Sequence, residues 1–128
     1  MEQEKSNKFE DLIVWQKAHQ FVLDVYNKTK YFPKEELFNL TSQFRRAATS
    51  IAANIAEEYG KKGINDTLRF YNIAEGSINE CKYYILLSKD LSYVNETESS
   101  QLYSDLSITH KLLHSYSRSL KNNQSTNY

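Results

Sequence analysis

The sequence predicts an all-α protein, an antiparallel up-down-up-down four-helix bundle, from three observations. Glycine occurs three times and proline once in 128 residues, so residues that mark turns are scarce. Apolar residues recur at steps of three and four through four long segments, the spacing of one face of an α-helix. The connections between these segments are short, which makes successive helices antiparallel neighbours. The length is that of a single domain.

The first two helices are predicted over about residues 11–31 and 35–59. Phe32-Pro33 separates them, because the residue before proline is pushed out of the α region. Gly60 is expected just beyond the second helix. The first apolar seam is Leu12, Trp15, His19, Val22, Tyr26 and Thr29, widened by Ala18 and Val25. The second is Leu37, Thr41, Phe44, Ala48, Ile51 and Ile55.

The other two helices are predicted over about residues 65–91 and 96–120. Asn65 or Asp66 is expected to cap the third, and Asn95 and Glu98 have the spacing of a capping box for the fourth. Glycine costs a helix about 1 kcal/mol relative to alanine, so we expect Gly76 to pack closely against the alanines of the second helix. The third seam is Leu68, Tyr71, Ala74, Ile78, Cys81 and Ile85; the fourth is Leu102, Leu106, Thr109, Leu113, Tyr116 and Leu120.

The bundle domain is predicted to span residues 9–121. Residues 1–8 are expected to be a flexible N-terminus, and residues 122–128, which lack an apolar pattern, a disordered tail. The side chains expected to hold the core are Trp15, Phe44, Ile51, Ile55, Ile78, Ile85, Leu106 and Leu113.

Charge and cysteine content narrow the cellular setting. The formal net charge is +0, which argues against coating nucleic acid through bulk charge but leaves a local basic patch open. A single cysteine, Cys81, cannot form an intramolecular disulfide. Residues 1–8 have no apolar core of a signal peptide, and no apolar run reaches the ~18 residues that span a bilayer. We therefore expect a cytoplasmic protein without a membrane partner.

No catalytic motif stands out. Carboxylate-bridged metal sites in bundles use Glu-x-x-His pairs, and no Glu here precedes a His by three residues. His110 and His114, one turn apart, are expected at the surface or rim. Cys81 lies on an apolar seam, where burial makes a thiol inert. We predict no enzyme, cofactor, metal or small-molecule substrate, and keep a metal-dependent or HEPN-like nuclease as the third hypothesis.

A polar set on the second helix stands beside its apolar seam. Arg, Asn and Glu are costly to bury unless they pair with each other. The set is therefore interpreted either as an internal hydrogen-bond network or as a subunit interface, with direct contact to a polyanion as a further alternative. Its members, with one residue of the third helix, are Gln43, Ser50, Asn54, Glu57 and Glu80.

Five cations are the candidates for phosphate contact: Arg45, Arg46, Lys61, Lys62 and Arg69. The alternative for Lys61 and Lys62 is a solvated turn at a helix C-terminus, where positive charge is favourable. In a ring such clusters are repeated by every subunit, and phosphate affinity rises steeply with the number of contacts.

Six blocks of residues occur in an order that resembles a known family: 9–18 (FEDLIVWQKA), 32–36 (FPKEE), 43–51 (QFRRAATSI), 54–57 (NIAE), 70–74 (FYNIA) and 76–80 (GSINE). They resemble the four-helix bundle proteins encoded in intervening sequences of bacterial 23S ribosomal RNA genes. They are also similar to the accessory variability determinants of diversity-generating retroelements. The resemblance implies an antiparallel bundle that assembles as a homopentamer. In the accessory determinants it further implies binding to nucleic acid and to a reverse transcriptase through basic surfaces.

Two positions depart from the family pattern. Glu58 stands where glycine usually follows the NIAE block, and Glu75 stands where an apolar residue usually precedes Gly76. Both are expected to add negative charge near the candidate basic surface. The leading hypothesis is a non-catalytic ring, of five subunits as the resemblance implies, that binds structured RNA or an RNA-handling protein. The alternative is a purely structural or protein-interaction module that does not bind nucleic acid.

Overall fold

The computed structural model describes residues 8–61 and 63–126, with residues 64 and 123–126 described by their backbone alone. Its helices are α1 (Ile13–Thr29), α2 (Leu40–Glu58), α3 (Ile64–Asp90) and α4 (Glu96–Thr126). Short 3₁₀ turns at Phe9–Asp11 and Lys34–Glu36 precede α1 and α2, and the described residues include no strand. The predicted fold class, an all-α four-helix bundle, is confirmed.

The first two helices are shorter than their apolar periods suggested. Residues 30–39 form a folded connection in which Glu36 has two roles: Leu40 N–H donates to Oε1 at 3.3 Å, and Tyr93 O–H donates to Oε2 at 2.9 Å. The second bond ties this connection to the one between α3 and α4. As predicted, Gly60 lies just beyond α2, and its φ of 84° is a left-handed conformation that suits glycine.

The two predicted caps had different outcomes. The capping box is present at α4, where Glu98 N–H donates to Asn95 Oδ1 at 2.8 Å and Asn95 N–H donates to Glu98 Oε1 at 2.9 Å. Helix α3 instead begins at Ile64 with Gly63 in the cap position, at a φ of 124°. The prediction of Asn65 or Asp66 as the cap was therefore wrong, because the backbone turns into the helix two residues before Asn65, at a glycine.

Helices α2 and α3 run in opposite directions, as do α3 and α4. Gln43 and Ser50 of α2 pair with Tyr84 and Ser77 of α3 in reverse order. Contacts between α3 and α4 likewise reverse, from Phe70 with Tyr116 to Lys82 with Tyr103. Helix α1 packs on α2 and α4, while the diagonal pairs, over the described ranges, make no close backbone approach.

The core is aliphatic with four phenylalanines, Phe21, Phe32, Phe44 and Phe70. Seven of the eight predicted core side chains are buried. Trp15 is only partly buried, since it sits at the bundle edge between Phe9 and His19, at ring distances of 5.2 and 4.8 Å. None of the tyrosines that the structure describes is fully buried. At the edge of the bundle the ring can pack against the core while the hydroxyl reaches water or a hydrogen-bond partner.

The seam predicted for α1 was partly wrong. His19 and Tyr26 are exposed, and the buried stripe runs through Val14, Ala18, Phe21, Val22, Val25 and Thr29. Both stripes have steps of three and four, so the period alone does not choose between them. In the other helices Leu37 and Leu68 are exposed, and Tyr71, Tyr116 and Leu120 are half-buried, because they lie at helix ends or rims.

Gly76 does not pack closely against α2, so that prediction was also wrong. The residue is exposed, and a Cβ added there would have no atom within 4 Å outside its own helix. Its neighbour Ser77 makes the approach instead, donating from Oγ to Ser50 Oγ at 2.9 Å.

The predicted domain limits fall at the edges of the described chain. Of the expected flexible N-terminus only residue 8 is described, and residues 127 and 128 of the expected tail also lie outside the described residues. Helix α4 continues through residue 126, beyond the predicted end near Leu120. In the part of the chain that the structure covers, no helix is long and apolar enough to cross a membrane.

Candidate functional site

The predicted polar set lies along a shallow groove of about 310 Å³ between α2 and α3. Tyr84 O–H lies 3.1 Å from Gln43 Oε1 and 3.3 Å from Glu80 Oε2, so it can donate to either oxygen. Burial, then the Glu80 carboxylate, raises the pKa of Tyr84. Farther along, Asn54 Nδ2–H donates to the carbonyl and hydroxyl oxygens of Ser50 at 2.7 and 3.0 Å.

The structure brings together four of the five predicted members, Gln43, Ser50, Asn54 and Glu80. The fifth, Glu57, turns to the helix end, where its Oε1 lies 3.7 Å from Lys61 Nζ. Two members, Ser77 and Tyr84, were missed. Their spacing in the sequence could have indicated them. They stand seven residues apart on α3, as Gln43 and Ser50 do on α2, and they face those two residues.

The candidate phosphate contacts do not form one surface. Arg45 is held against α1, where its Nε–H donates to Thr29 Oγ1 at 2.8 Å and its guanidinium lies 4.6 Å from the centre of the Tyr26 ring. Arg46 is exposed and lines the groove between α2 and α3. Lys61 lies fifteen residues after Arg46, roughly 22 Å along the axis at 1.5 Å per residue.

Lys61 and Arg69 do meet, in a small cleft of about 100 Å³ between the end of α2 and the start of α3. That cleft is also lined by three acids, Glu57, Glu58 and Asp66, so the positive charge of Lys61 and Arg69 is offset there. Lys62, the remaining candidate, lies outside the described residues.

Glu58 is buried at 5% exposure, and its Oε1 has no hydrogen-bond partner among the described atoms. Burial and the neighbouring charge of Asp66 raise the pKa of this carboxyl group. Burial, followed by the charge of Glu58, also raises the pKa of Tyr116 to about 12. Glu58 also lines the cleft that holds Lys61 and Arg69, so it lies beside two of the candidate cations, as expected, with its side chain buried at the bundle end.

A second polar cluster, which sequence reasoning missed, joins α3 and α4. Glu75 Oε1 lies 2.8 Å from His110 Nε2, and Lys82 Nζ lies 3.4 Å from His110 Nδ1. Tyr71 O–H lies 3.3 Å from His114 Nδ1. Burial alone would raise the pKa of Glu75, but hydrogen bonds from Tyr71 and His110 lower it below its usual value. Glu75 thus faces α4, and the expectation that it adds charge to the predicted basic surface was wrong.

The same carboxylate acts on Tyr71, one turn earlier on α3. Its hydrogen bond, together with burial, raises the pKa of Tyr71 to about 12. The only early signal for this cluster was the pair of histidines one turn apart on α4. Over the described residues, no three His, Cys, Asp or Glu side chains converge as a metal site would require.

An apolar groove of about 650 Å³ lies on the outer side of α3 and α4. Tyr83 and Leu86 of α3 and Tyr103 of α4 line it and are each about half exposed. Lys82 Nζ lies 5.9 Å from the centre of the Tyr103 ring, and Lys89 pairs with Glu96 at 3.0 Å on the rim. Cys81, by contrast, is fully buried, and burial strongly raises the pKa of its thiol.

The comparison with known families is decisive for the identity of the fold. The family model described as 23S rRNA-intervening sequence protein matches residues 10–115, which include α1, α2, α3 and the first 20 residues of α4. The chain belongs to this family. No curated protein matches the chain.

A solved structure is similar to this intervening-sequence protein over most of its length. It is the crystal structure of a protein with unknown function from the S23 ribosomal protein family from Bacteroides thetaiotaomicron. The two share 28% sequence identity with a TM-score of 0.75, and the match covers 83% of this chain and 96% of the other. The likeness therefore extends to nearly the whole of that protein.

Proposed function

We propose that this intervening-sequence protein is a non-catalytic scaffold that assembles into a homo-oligomeric ring and, as a ring, binds structured RNA. The observation that carries the assembly is the apolar groove between α3 and α4. A small soluble domain rarely leaves a contiguous apolar surface open unless something packs on it. Here two adjacent helices, α3 and α4, leave Tyr83, Leu86 and Tyr103 exposed.

The outer face of α3 supports the same proposal. Leu68, Gly76, Tyr83 and Leu86 share that face, since they follow steps of eight, seven and three residues along the helix. Gly76 is exposed, and a Cβ added there would contact nothing, so packing within the monomer does not require a glycine at this position. A second helix could approach closely here, because it would meet only backbone. A head-to-tail contact of this kind closes into a ring when the rotation between subunits divides a full turn, whereas a self-complementary contact gives a dimer.

The non-catalytic part rests on the state of the reactive side chains. The Cys81 thiol is buried and its pKa is raised, which opposes formation of the nucleophilic thiolate. His110 is engaged by Glu75 and Lys82 and serves to join two helices. The RNA part rests on the family description, which names an intervening sequence of 23S rRNA. A ring would also repeat each weak cationic cluster around one axis.

Native mass by light scattering after size exclusion, at low and high salt, tests the assembly. We expect a mass near five times 15.0 kDa, about 75 kDa, at both salts. Leu86→Glu places a charge in the groove and should reduce the mass toward 15.0 kDa. Leu23→Glu is the matched control, because Leu23 of α1 is 49% exposed and Leu86 is 52% exposed. Dissociation by Leu23→Glu alone would move the interface to α1, and a monomeric wild type would refute the ring.

A second candidate is a protein-interaction module that does not bind RNA. It is favoured by the acids that offset Lys61 and Arg69 and by the formal net charge of +0. Fluorescence anisotropy with a labelled RNA hairpin separates the two. Binding that weakens linearly in log–log salt plots supports the RNA hypothesis, and no binding at 50 mM salt supports the module.

A further inference from the structure

The C-terminal half of α4 carries positive charge and no acid. No Asp or Glu follows Asp105 in the sequence, whereas Lys111, Arg118 and Lys121 do. This helical segment is therefore positive in a chain whose formal net charge is zero. Neither Lys111 nor Arg118 forms an ion pair with any residue that the structure describes, unlike Lys61 and Lys89.

These side chains share the outer face of the helix. Lys111 and Arg118 are seven residues apart, which is two turns, and both are exposed. The exposed His114 and Ser115 lie between them, and the exposed Ser119 follows. We call Lys111, His114, Ser115, Arg118 and Ser119 the α4 basic face.

Two shallow hollows of about 460 and 390 Å³ lie along this face. The first is lined by residues that include Tyr71, His110, Lys111 and His114, and the second by residues that include Ser115, Arg118 and Ser119. Among the described residues, no carboxylate lines either hollow. The acids beside this part of α4 have other neighbours: Glu75 bonds to His110, the charge of Glu58 acts on Tyr116, and Asp105 faces Asp24 and Lys17 of α1.

The helix dipole does not account for this pattern. Positive charge near a helix C-terminus is favourable, but the effect falls off within the last turn. Arg118 lies more than two turns before Thr126, where α4 ends, and Lys111 lies farther still. A solvated helix face normally mixes charges of both signs. Helix α4 instead separates them, with Glu96, Glu98 and Asp105 in its first half and Lys111, Arg118 and Lys121 in its second.

We propose that the α4 basic face binds the phosphodiester backbone of nucleic acid. Lys111 and Arg118 stand roughly 10 Å apart along the helix, so one α4 can contact two phosphates of a strand. Serine hydroxyls and imidazole N–H groups are further donors to phosphate oxygens. This inference rests on the proposed RNA-binding function and relocates its surface, away from the five cations that the sequence singled out.

The test compares two double substitutions that each remove two positive charges. Lys111→Gln with Arg118→Gln removes the α4 basic face. Lys61→Gln with Arg69→Gln is the matched control in the cleft lined by acids. Each protein is titrated into a labelled RNA hairpin and into a DNA hairpin of the same sequence, from 50 to 200 mM salt. Native mass and far-UV circular dichroism establish that each variant remains folded and assembled.

We expect the α4 variant to lose about tenfold or more in affinity at 100 mM salt, and its log–log salt slope to fall by about 2. The cleft variant should change by less than about twofold. Lys111→Arg with Arg118→Lys keeps both charges and should retain binding, which separates charge from side-chain shape. Equal losses on RNA and DNA would identify the shared backbone as the ligand, and a loss on RNA alone would add the ribose hydroxyl to it.

The failures are distinct. If wild type binds the RNA hairpin and the α4 variant binds equally well, the α4 basic face is wrong while the proposed function stands. If the cleft variant alone loses affinity, the surface is the one predicted from the sequence. If wild type binds neither hairpin at 50 mM salt, the RNA-binding function itself fails and this inference fails with it.

Discussion

At the scale of single residues, two carboxylates experience opposite environments. Glu58 at the end of α2 is buried with one oxygen unpartnered, so burial and Asp66 raise its pKa. Glu75 on α3 also has one buried oxygen without a partner, but its Oε1 lies 2.8 Å from His110 Nε2, and Tyr71, His110 and Lys82 lower its pKa despite burial. The first is a cost to the fold, whereas the second is a tie between two helices.

Glu58→Gln is expected to stabilise the protein at pH 7 by about 1 kcal/mol, because the uncharged amide is cheaper to bury. The raised pKa means that the folded wild type takes up its proton before the unfolded chain does. The cost of the carboxylate is therefore present at pH 7 and disappears as pH falls toward the ordinary value of 4.5. Urea unfolding of both proteins at pH 7 and 4.5 measures this.

Glu57→Gln is the control, because the Glu57 side chain is 70% exposed beside Lys61. It should change the unfolding free energy by no more than a few tenths of a kcal/mol, as exposed ion pairs do. A destabilised Glu58→Gln variant at pH 7 would show that the carboxylate has a partner the described residues do not reveal.

Glu75→Gln is expected to destabilise the protein at neutral pH by about 1 kcal/mol, since it weakens hydrogen bonds that join α3 to α4. The lowered pKa gives the carboxylate a stabilising effect that is complete above 4.5 and is lost as pH falls through the folded-state value. The difference between wild type and variant in urea unfolding should therefore shrink between pH 7 and 3.5. A difference that stays constant with pH would indicate lost packing rather than lost charge.

At the scale of elements, α3 packs on both α2 and α4 and also leaves apolar side chains on its outer side. It buries Ile78, Cys81 and Ile85 inward, yet leaves Tyr83 and Leu86 exposed on its outer side. Gly76 lies on that outer side in open space. A helix with both faces apolar normally has neighbours on both.

Gly76→Ala is expected to raise the stability of a monomeric bundle by about 0.5–1 kcal/mol, because alanine restricts the unfolded chain and no atom blocks the added Cβ. Gly63→Ala should do the reverse, since its φ of 124° disfavours any Cβ. Thermal unfolding of the two variants measures both effects. If Gly76→Ala instead lowers the native mass, another chain approaches the backbone of α3 at this glycine.

At the scale of the whole molecule, the structure separates an apolar region from a basic one along α4. The apolar groove involves its first half, through Ser99 and Tyr103, and the basic face its second half, through Lys111 and Arg118. One helix can therefore take part in assembly at one end and display charge at the other. In a ring, the basic halves would repeat at the same level around the axis.

Assembly through the groove makes stability depend on protein concentration. We expect the thermal midpoint of wild type to rise when concentration increases tenfold, because association is coupled to folding by mass action. The Leu86→Glu variant should show a lower midpoint that does not change with concentration. Differential scanning calorimetry at two concentrations measures this, and a wild-type midpoint that stays constant would contradict assembly through this surface.

Much of the architecture was predictable from the sequence because local rules determine it. The 3.6-residue period located four helices, Gly60 marked the end of α2, and Asn95 with Glu98 capped α4. Each of these depends on neighbours within a few residues. The family membership was also predictable, since ordered blocks of residues carry it.

The side-chain partners were decided only by tertiary structure. The apolar period of α1 fits two adjacent stripes of the helix. Packing against α2 and α4 buries the stripe through Phe21 and Val25. Tyr26 stays exposed, and the guanidinium of Arg45 packs over its ring. Residues far apart in sequence, such as Glu75 and His110, become neighbours only when two helices align. Sequence alone thus determined the helices and their family. Which charges are buried, paired or left on the surface depended on the register between helices, because electrostatic and packing energies act over distances in space rather than along the chain.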